Sequence, residues 1–356
     1  MKPPVSATPP PSDDALKADH ARVLTEWLGK PITSIERIGG GRNSRVYRIE
    51  LDTGVKAAKF YFGKTADGRD RLDVEYSALE FLWRNGLRCI PRPIASNSTE
   101  QVGLYEYIEG DAVEAATATA ADIDQLAGFA GQLKELAESG ASGSLGPAAE
   151  AFFSIGGVIG NITERYHRMA ALDVPGTAYD QLQRFLTGEF EPALTRLGEW
   201  ARSRAGNDPD LQMEHRTLSP SDLGFHNALR KSDGALSFLD FEYFGWDDPV
   251  KMLSDALLHP RMRLADKLRS RLAARFSSVF GRDTGWRERV ETMYPLFGLK
   301  WCMILLNEFR PEQLQRRRFV DENHEAPHAV QIRQLEAARQ LLGKITGEHP
   351  RFPFWQ

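Results

Sequence analysis

Most of the second half of this 356-residue chain has a helical period, but one stretch breaks it: residues 217–249, TLSPSDLGFHNALRKSDGALSFLDFEYFGWDDP. NALR and ALSFLDF alternate as short strands around Ser232, Asp233 and Gly234, a tight-turn composition, so the segment reads as a hairpin set inside a helical region. It places Asp222 on the loop before the hairpin, Asn227 where the first strand begins and Asp240 where the second ends. Asn227 and Asp240 then flank the hairpin on opposite strands, near enough to share one cation. Phosphoryl transfer uses these residue types: a carboxylate to accept a hydroxyl proton, and oxygen ligands to hold Mg. Taken singly, each of the three also suits a helix cap or a turn.

The first hundred residues are organised differently. ITSIERI, VYRIEL and VKAAKFYF, between Ile32 and Phe62, read as a three-stranded antiparallel meander, with turns at GGGRNS and DTG. Gly39, Gly41 and Ser44 followed by Val46 form G-x-G-x-x-S-x-V in the first turn, where backbone N–H groups can approach phosphate oxygens. Such turns are also common in plain hairpins. Lys59 lies thirteen residues after Val46 and shares a strand face with Val55 and Ala57, so it either snorkels at the sheet edge or enters a cleft. Leu72, Tyr76, Leu79 and Leu82 predict a helix over 70–85, ended by Gly86. Glu75 on that helix is a candidate ion-pair partner for Lys59, with Glu80 as a rival and a solvated position as the plain alternative. QVGLYEYIEGD completes two further strands and closes the region near Gly110.

Beyond Gly110 the periodicity predicts helices at about 122–138, 149–171, 178–204, 249–258, 261–280, 286–309 and 327–345. The expected division is a disordered Pro-, Ser- and Asp-rich tail over 1–18, a nucleotide-binding N-lobe over 19–109 and a catalytic, substrate-binding C-lobe over 110–356. This is an α+β chain, with a small antiparallel β-sheet lobe and a larger, mainly helical one. Charge narrows the function: 45 Lys and Arg against 49 Asp and Glu give −4, with no positive field for nucleic acid or an anionic membrane. Cys89 and Cys302 are far apart, without a Cys/His cluster, and are expected to be reduced packing thiols. No apolar run is long enough to span a bilayer, so the expected compartment is the cytoplasm. Nothing in the sequence speaks to oligomeric state.

The joint order of these features resembles the aminoglycoside phosphotransferase and choline kinase-like superfamily, relatives of the protein kinases, from about Ile35 to Asp255. The matching pieces are IGGGRNSRVYRI, AAKF, VEYSALEFL, LYEYIEG, SDLGFHNAL and LDFEYFGWDDP. The resemblance implies a protein-kinase-like two-lobed fold and an ATP- and Mg-dependent phosphotransferase acting on a hydroxyl of a small molecule, such as a sugar, an amino sugar or a choline-like alcohol. It also implies that Asp222 is the base, that Asn227 and Asp240 bind Mg, and that Lys59, steadied by Glu75, meets the phosphates. The carbonyl of Glu106 and the N–H of Ile108 would receive the adenine edge. One departure is visible: the family's His-Gly before the catalytic Asp is Pro220-Ser221 here, and Pro220 stiffens the loop entry. That change motivates a second reading, a nucleotide-binding regulatory or scaffold protein of the same fold without turnover.

Several neighbouring residues carry open readings. Glu242, Asp247, Asp248 and Asp255 either attract a cationic substrate or neutralise Lys251 and cap the helix at 249, the capping role fitting Asp248. Tyr243, Phe244 and Trp246 suit either stacking on a ligand or core packing. Glu308 suits either the cleft or the surface, and His226 is expected to orient the loop.

Overall fold

The computed structural model describes residues 13–40, 43–62, 68–140, 145–282, 285–311 and 327–355. Its N-lobe is a five-stranded antiparallel sheet of β1 (Ser34–Gly40), β2 (Ser44–Leu51), β3 (Gly54–Tyr61), β4 (Pro93–Asn97) and β5 (Val102–Glu106), in the order β1-β2-β3-β5-β4. The expected meander and the two later strands are all present. Register sets the faces: Val46, Lys59 and Gly103 lie abreast, as do Tyr47, Ala58 and Leu104.

The second of these faces is apolar and is covered by α1 (Asp13–Leu28), whose Leu24 is fully buried with Tyr47, Ile49, Ala58 and Phe60. This helix corrects the expectation of a tail over 1–18, since residues 13–18 are its first turns and 1–12 lie outside the described residues. Its composition is polar, and its stability comes from the one face that caps the sheet. The opposite face packs on α2 (Arg71–Arg84), started by Asp70, whose carboxylate accepts from the N–H of Asp73 at 3.2 Å.

The C-lobe begins with β6 (Asp111–Ala112) and α3 (Ala120–Glu138), which opens on a reciprocal Thr119–Asp122 capping box. It continues through α4 (Ile155–Ala170), α5 (Thr177–Phe185), α6 (Glu191–Ala205), α7 (Pro249–Leu258), α8 (Asp266–Phe280), α9 (Trp286–Leu305) and α10 (Pro327–Glu348). The long helix predicted over 178–204 is present as a continuous helical run from Thr177 to Ala205, with a π-helical turn at Leu186–Phe190 between α5 and α6. The helix predicted from 149 starts instead at Ile155, where Ser154 caps it, and the one predicted from 261 starts at Asp266. Both shortened starts leave non-helical segments that meet the 217–249 region: the Ala149 N–H donates to the Tyr243 carbonyl at 2.9 Å, and the Phe225 N–H donates to Met262 Sδ at 3.0 Å. The hairpin is present as β8 (Ala228–Arg230) and β9 (Leu236–Phe238), with β6 as an unforeseen third strand pairing β8. Cys89 and Cys302 are free thiols. Among the described residues no helix is long and apolar enough to cross a membrane.

His20 joins α1 to the sheet: it stacks on Phe60 at 3.8 Å, and its Nδ1 lies 3.0 Å from the Tyr47 hydroxyl. Burial first, then the nearby Arg45 charge, lowers its pKa from 6.5 to about 4. The unfolded chain therefore binds this proton more readily, and stability falls as pH drops through that window. Urea unfolding at pH 7.5 and pH 5 is expected to show a smaller loss for His20→Phe than for the wild type. An equal loss in both would remove His20 from the coupling.

Candidate active site

Two short ladders bring the sequence-predicted residues together. β7 (Thr217–Ser219) pairs with β10 (Gly245–Asp247), while β8 pairs with β9. The intervening loops, 220–227 and 239–244, therefore face each other with both ends of each fixed. The Leu239 N–H donates to the Asn227 carbonyl at 2.8 Å, closing the gap directly before Asp240. Asp240 itself adopts a left-handed backbone with φ 67°, uncommon for a non-glycine residue.

Lys59 crosses from the N-lobe to this floor. Its Nζ lies 2.6 Å from Glu75 Oε2 and 2.8 Å from Asp240 Oδ1, so Lys59 does not snorkel and Glu75 is its helical partner. Glu80 instead pairs with Arg84 on the exposed face of α2. Burial opposes the Lys59 charge, but the attraction of Asp240, Glu75 and Glu242 outweighs it and pushes its pKa well above the ordinary lysine value. Glu75 also accepts from the Tyr61 hydroxyl at 2.9 Å, and that hydroxyl lies 2.8 Å from the Tyr105 hydroxyl. Gly103 makes room for this chain, since a Cβ there would sit 2.3 Å from the Tyr105 oxygen.

Asp222 sits beside His226, whose Nε2 is 2.9 Å from Asp222 Oδ1, and beside Asn227, whose Nδ2 donates to the Asp222 carbonyl at 3.0 Å and to Oδ2 at 3.3 Å. Burial works against the carboxylate charge, but the hydrogen bond and charge of His226 and the Asn227 amide outweigh it and hold the pKa at about 2. Gly224 is needed for this turn, because a Cβ there would meet the His226 ring at 2.4 Å. The expectation that His226 orients the loop fits these contacts. Asn227 spends its side-chain nitrogen on Asp222, which leaves the side-chain oxygen Oδ1 for a cation.

The Pro220-Ser221 departure has a geometric account. Ser221 has φ 68°, a conformation that glycine adopts without penalty, so the backbone at this position keeps the form that glycine favours. Here the hydroxyl secures it: Ser221 Oγ donates to the Ala149 carbonyl at 2.9 Å and accepts from Lys251 Nζ at 3.1 Å. The turn before α4 supplies that carbonyl.

A hard divalent cation fits the donor set. Asp240 and Asn227 offer oxygen only, and carboxylate oxygens of Glu75, Asp240 and Glu242 lie within 4.8 Å of one another. Glu242 Oε2 is buried with no hydrogen-bond partner among the described residues. The other oxygen, Oε1, is bonded by Arg71 at 2.7 Å and Asn43 at 2.9 Å, and both donors also reach the Tyr243 hydroxyl. The glycine-rich turn and the start of α2 are thus tied to the segment following Asp240. Glu242 Oε1 and the Tyr243 hydroxyl thus serve the lobe junction.

The remaining predicted residues are placed as follows. Gly39 is in β1 opposite Val46, and Ser44 is buried at the start of β2. Gly41 lies outside the described residues. Glu106 ends β5, with Oε2 accepting from the Arg92 N–H at 3.2 Å, and Ile108 is half-buried in the connector to the C-lobe. Asp248 caps α7 by accepting from the Val250 N–H at 2.8 Å, as expected. Phe244 packs in the core, and Glu308 is buried against α10, away from the surface. Asn43, Arg71, Tyr61 and Lys251 were missed as site residues. Only their three-dimensional neighbours mark them, since each acts through a partner distant in sequence or through burial.

The chain matches no protein-family profile and no curated protein sequence. Solved structures do share its fold. Choline kinase LicA from Streptococcus pneumoniae superposes with a TM-score of 0.58 at 17% identity, covering 92% of this chain and 99% of the other. Plasmodium vivax ethanolamine kinase gives 0.61 at 12% identity, covering 94% and 91%. A spectinomycin phosphotransferase in complex with ADP and spectinomycin gives 0.58 at 13% identity, covering 91% and 98%. The chain therefore shares the two-lobed kinase-like fold of these structures.

Ser221 offers a direct test of the loop account. Ser221→Ala keeps the left-handed strain and loses the hydroxyl bonds, whereas Ser221→Gly loses the bonds but relieves the strain. Thermal unfolding is expected to place Ala below Gly by about 1 kcal/mol. Equal stabilities would show that the left-handed geometry is not a constraint.

Proposed function

We propose that the protein is an ATP- and Mg-dependent phosphotransferase of the cytoplasm that phosphorylates a hydroxyl of a small molecule, in the range of sugars, amino sugars and choline-like alcohols. The observation that carries this reading is the buried Lys59 held between Glu75 of α2 and Asp240 of the floor. The residues gathered around that ion pair are those that phosphoryl transfer needs, and the fold neighbours act on small alcohols or bind nucleotides.

In this reading Glu75 fixes the Lys59 ammonium, and a phosphate oxygen replaces Asp240 as its second partner. The turn containing Gly39, Gly41 and Ser44 covers the phosphates, and the Glu106 carbonyl and Ile108 N–H receive the adenine. Asp240 and Asn227 Oδ1 would hold Mg, which supplies charge neutralisation on the phosphates when bound. The substrate oxygen forms a bond to the γ-phosphorus while the bond to the bridging oxygen of ADP breaks, and the hydroxyl proton passes to Asp222. A carboxylate held near 2 is a weak proton sink before transfer. Asp222 therefore acts chiefly by orienting the hydroxyl, which suits a loose transition state in which the proton leaves late.

The test is Mg-dependent ATP consumption across amino sugars, neutral sugars, choline-like alcohols and amino-acid alcohols. Asp222→Ala is expected to lower turnover on the active acceptor by at least about 100-fold. Nucleotide binding without turnover on any acceptor would favour the scaffold reading instead.

A separate measurement addresses the cation. Asp240→Ala is expected to abolish the Mg-dependent part of nucleotide affinity while leaving the circular dichroism spectrum unchanged. Unaltered affinity would remove Asp240 from the site.

A further inference from the structure

Two contact chains leave the catalytic loop in different directions and end on the same buried carboxylate. The first starts at the loop entry. Lys251, buried on α7, donates to Ser221 Oγ at 3.1 Å and is itself held by Asp247 Oδ2 at 3.1 Å and Asp255 Oδ2 at 3.0 Å. The second starts at the Asp222 side chain. His226 bonds Asp222, its ring stacks on His259 with centroids 3.8 Å apart and planes 9° from parallel, and His259 meets the Trp301 ring edge-to-face at 4.9 Å. Trp301 Nε1 then donates to Asp255 Oδ1 at 2.8 Å. One oxygen of Asp255 thus serves each chain.

The second chain matters because of what His226 lacks. Its Nδ1 is buried with no hydrogen-bond partner among the described residues, so that side of the ring has no polar anchor. The ring is located by Asp222, which it is supposed to position, and by packing against His259. His259 has its own Nδ1 engaged by the Arg261 N–H at 3.2 Å, and its ring is set from behind by Trp301. An orienting group must be fixed independently of the group it orients. Trp301 and Asp255 supply that fixed reference.

We propose that Asp255 is a positioning residue for Asp222, bracing the catalytic loop at its entry through Lys251 and Ser221 and at its carboxylate through Trp301, His259 and His226. The proposal rests on the reading of Asp222 as the hydroxyl-orienting group. Asp255 touches neither substrate nor nucleotide in this account. Its effect is on turnover and not on nucleotide binding.

The experiment uses the full chain with Trp301→Phe, which cuts the second chain while keeping an aromatic ring, and Asp255→Asn, which keeps an acceptor for Trp301 but removes the charge facing Lys251. Each is expected to lower kcat for Mg-dependent ATP turnover roughly 10-fold with nucleotide Kd changed less than about twofold, in keeping with small misplacements of a catalytic group. Combined with Asp222→Ala, Trp301→Phe is expected to cause no further loss, because its effect passes through Asp222. A readout independent of turnover is the ¹⁵N–¹H signal of the His226 Nε2–H, expected to shift or broaden in Trp301→Phe and to stay in place in a distant control such as Glu80→Gln. Wild-type kcat and an unmoved His226 signal in Trp301→Phe would overturn the brace, as would an equal loss of rate in the Asp222→Ala background. Should Asp255→Asn fail to fold, Trp301→Phe alone decides between these outcomes. Full turnover in Asp222→Ala would instead overturn the reading beneath the proposal.

Discussion

The buried ammonium of Lys59 is the constraint around which the rest of the site is arranged. An unpaired charge removed from water costs several kcal/mol, so a lysine on the inner face of the sheet requires carboxylates brought to it. One comes from α2 and one from the loop after β9, and their convergence fixes the N-lobe helix and the C-lobe floor to a single point. The Asn43 and Arg71 contacts to Glu242 and Tyr243 reinforce the same junction from the glycine-rich turn and the first turn of α2. Because Asp240 is more exposed than Glu75, the ion pair is asymmetric, which fits the proposed replacement of Asp240 by a phosphate oxygen.

The floor is equally over-determined. Pairing of β7 with β10 and of β8 with β9 clamps both loops at both ends, so the segment carrying Asp222 and Asn227 and the segment carrying Asp240 are held side by side without long ordered loops. Two of the positions there, Ser221 and Asp240, are left-handed non-glycine residues, and such strain persists only where surrounding contacts hold it. At Ser221 those contacts are the Ala149 carbonyl and Lys251. The charges beneath the loop are paired among themselves, Lys251 with Asp247 and Asp255, and Arg289 with Asp248. The acidic residues following Asp240 are therefore structural counter-ions, which bears against their attracting a cationic substrate.

How far the sequence revealed this depended on the kind of signal. The strands, α2 and the hairpin were readable because alternation, helical spacing and an Asp-Gly turn are local properties. Lys59, Glu75, Asp222, Asn227 and Asp240 could be nominated because their order along the chain resembles a known pattern. The helix over residues 13–28 was hidden, since its composition is polar and its one apolar face becomes evident only against the sheet. Starts at Ile155 and Asp266 were misplaced because apolar residues in 149–154 and 261–265 fit a helical period equally well, and only capping and tertiary packing decide. Arg71, Lys251, His259 and Trp301 were not legible as parts of the site, because each acts through a partner that the fold, and not the spacing, brings near.

The most direct test of the central claim is a crystal structure with Mg and a non-hydrolysable ATP analogue. The account predicts that Lys59 keeps its contact with Glu75, releases Asp240 and bonds a phosphate oxygen, while Asp240 and Asn227 Oδ1 turn to the metal. A nucleotide bound elsewhere, or a Lys59–Asp240 ion pair left intact beside bound phosphates, would contradict it.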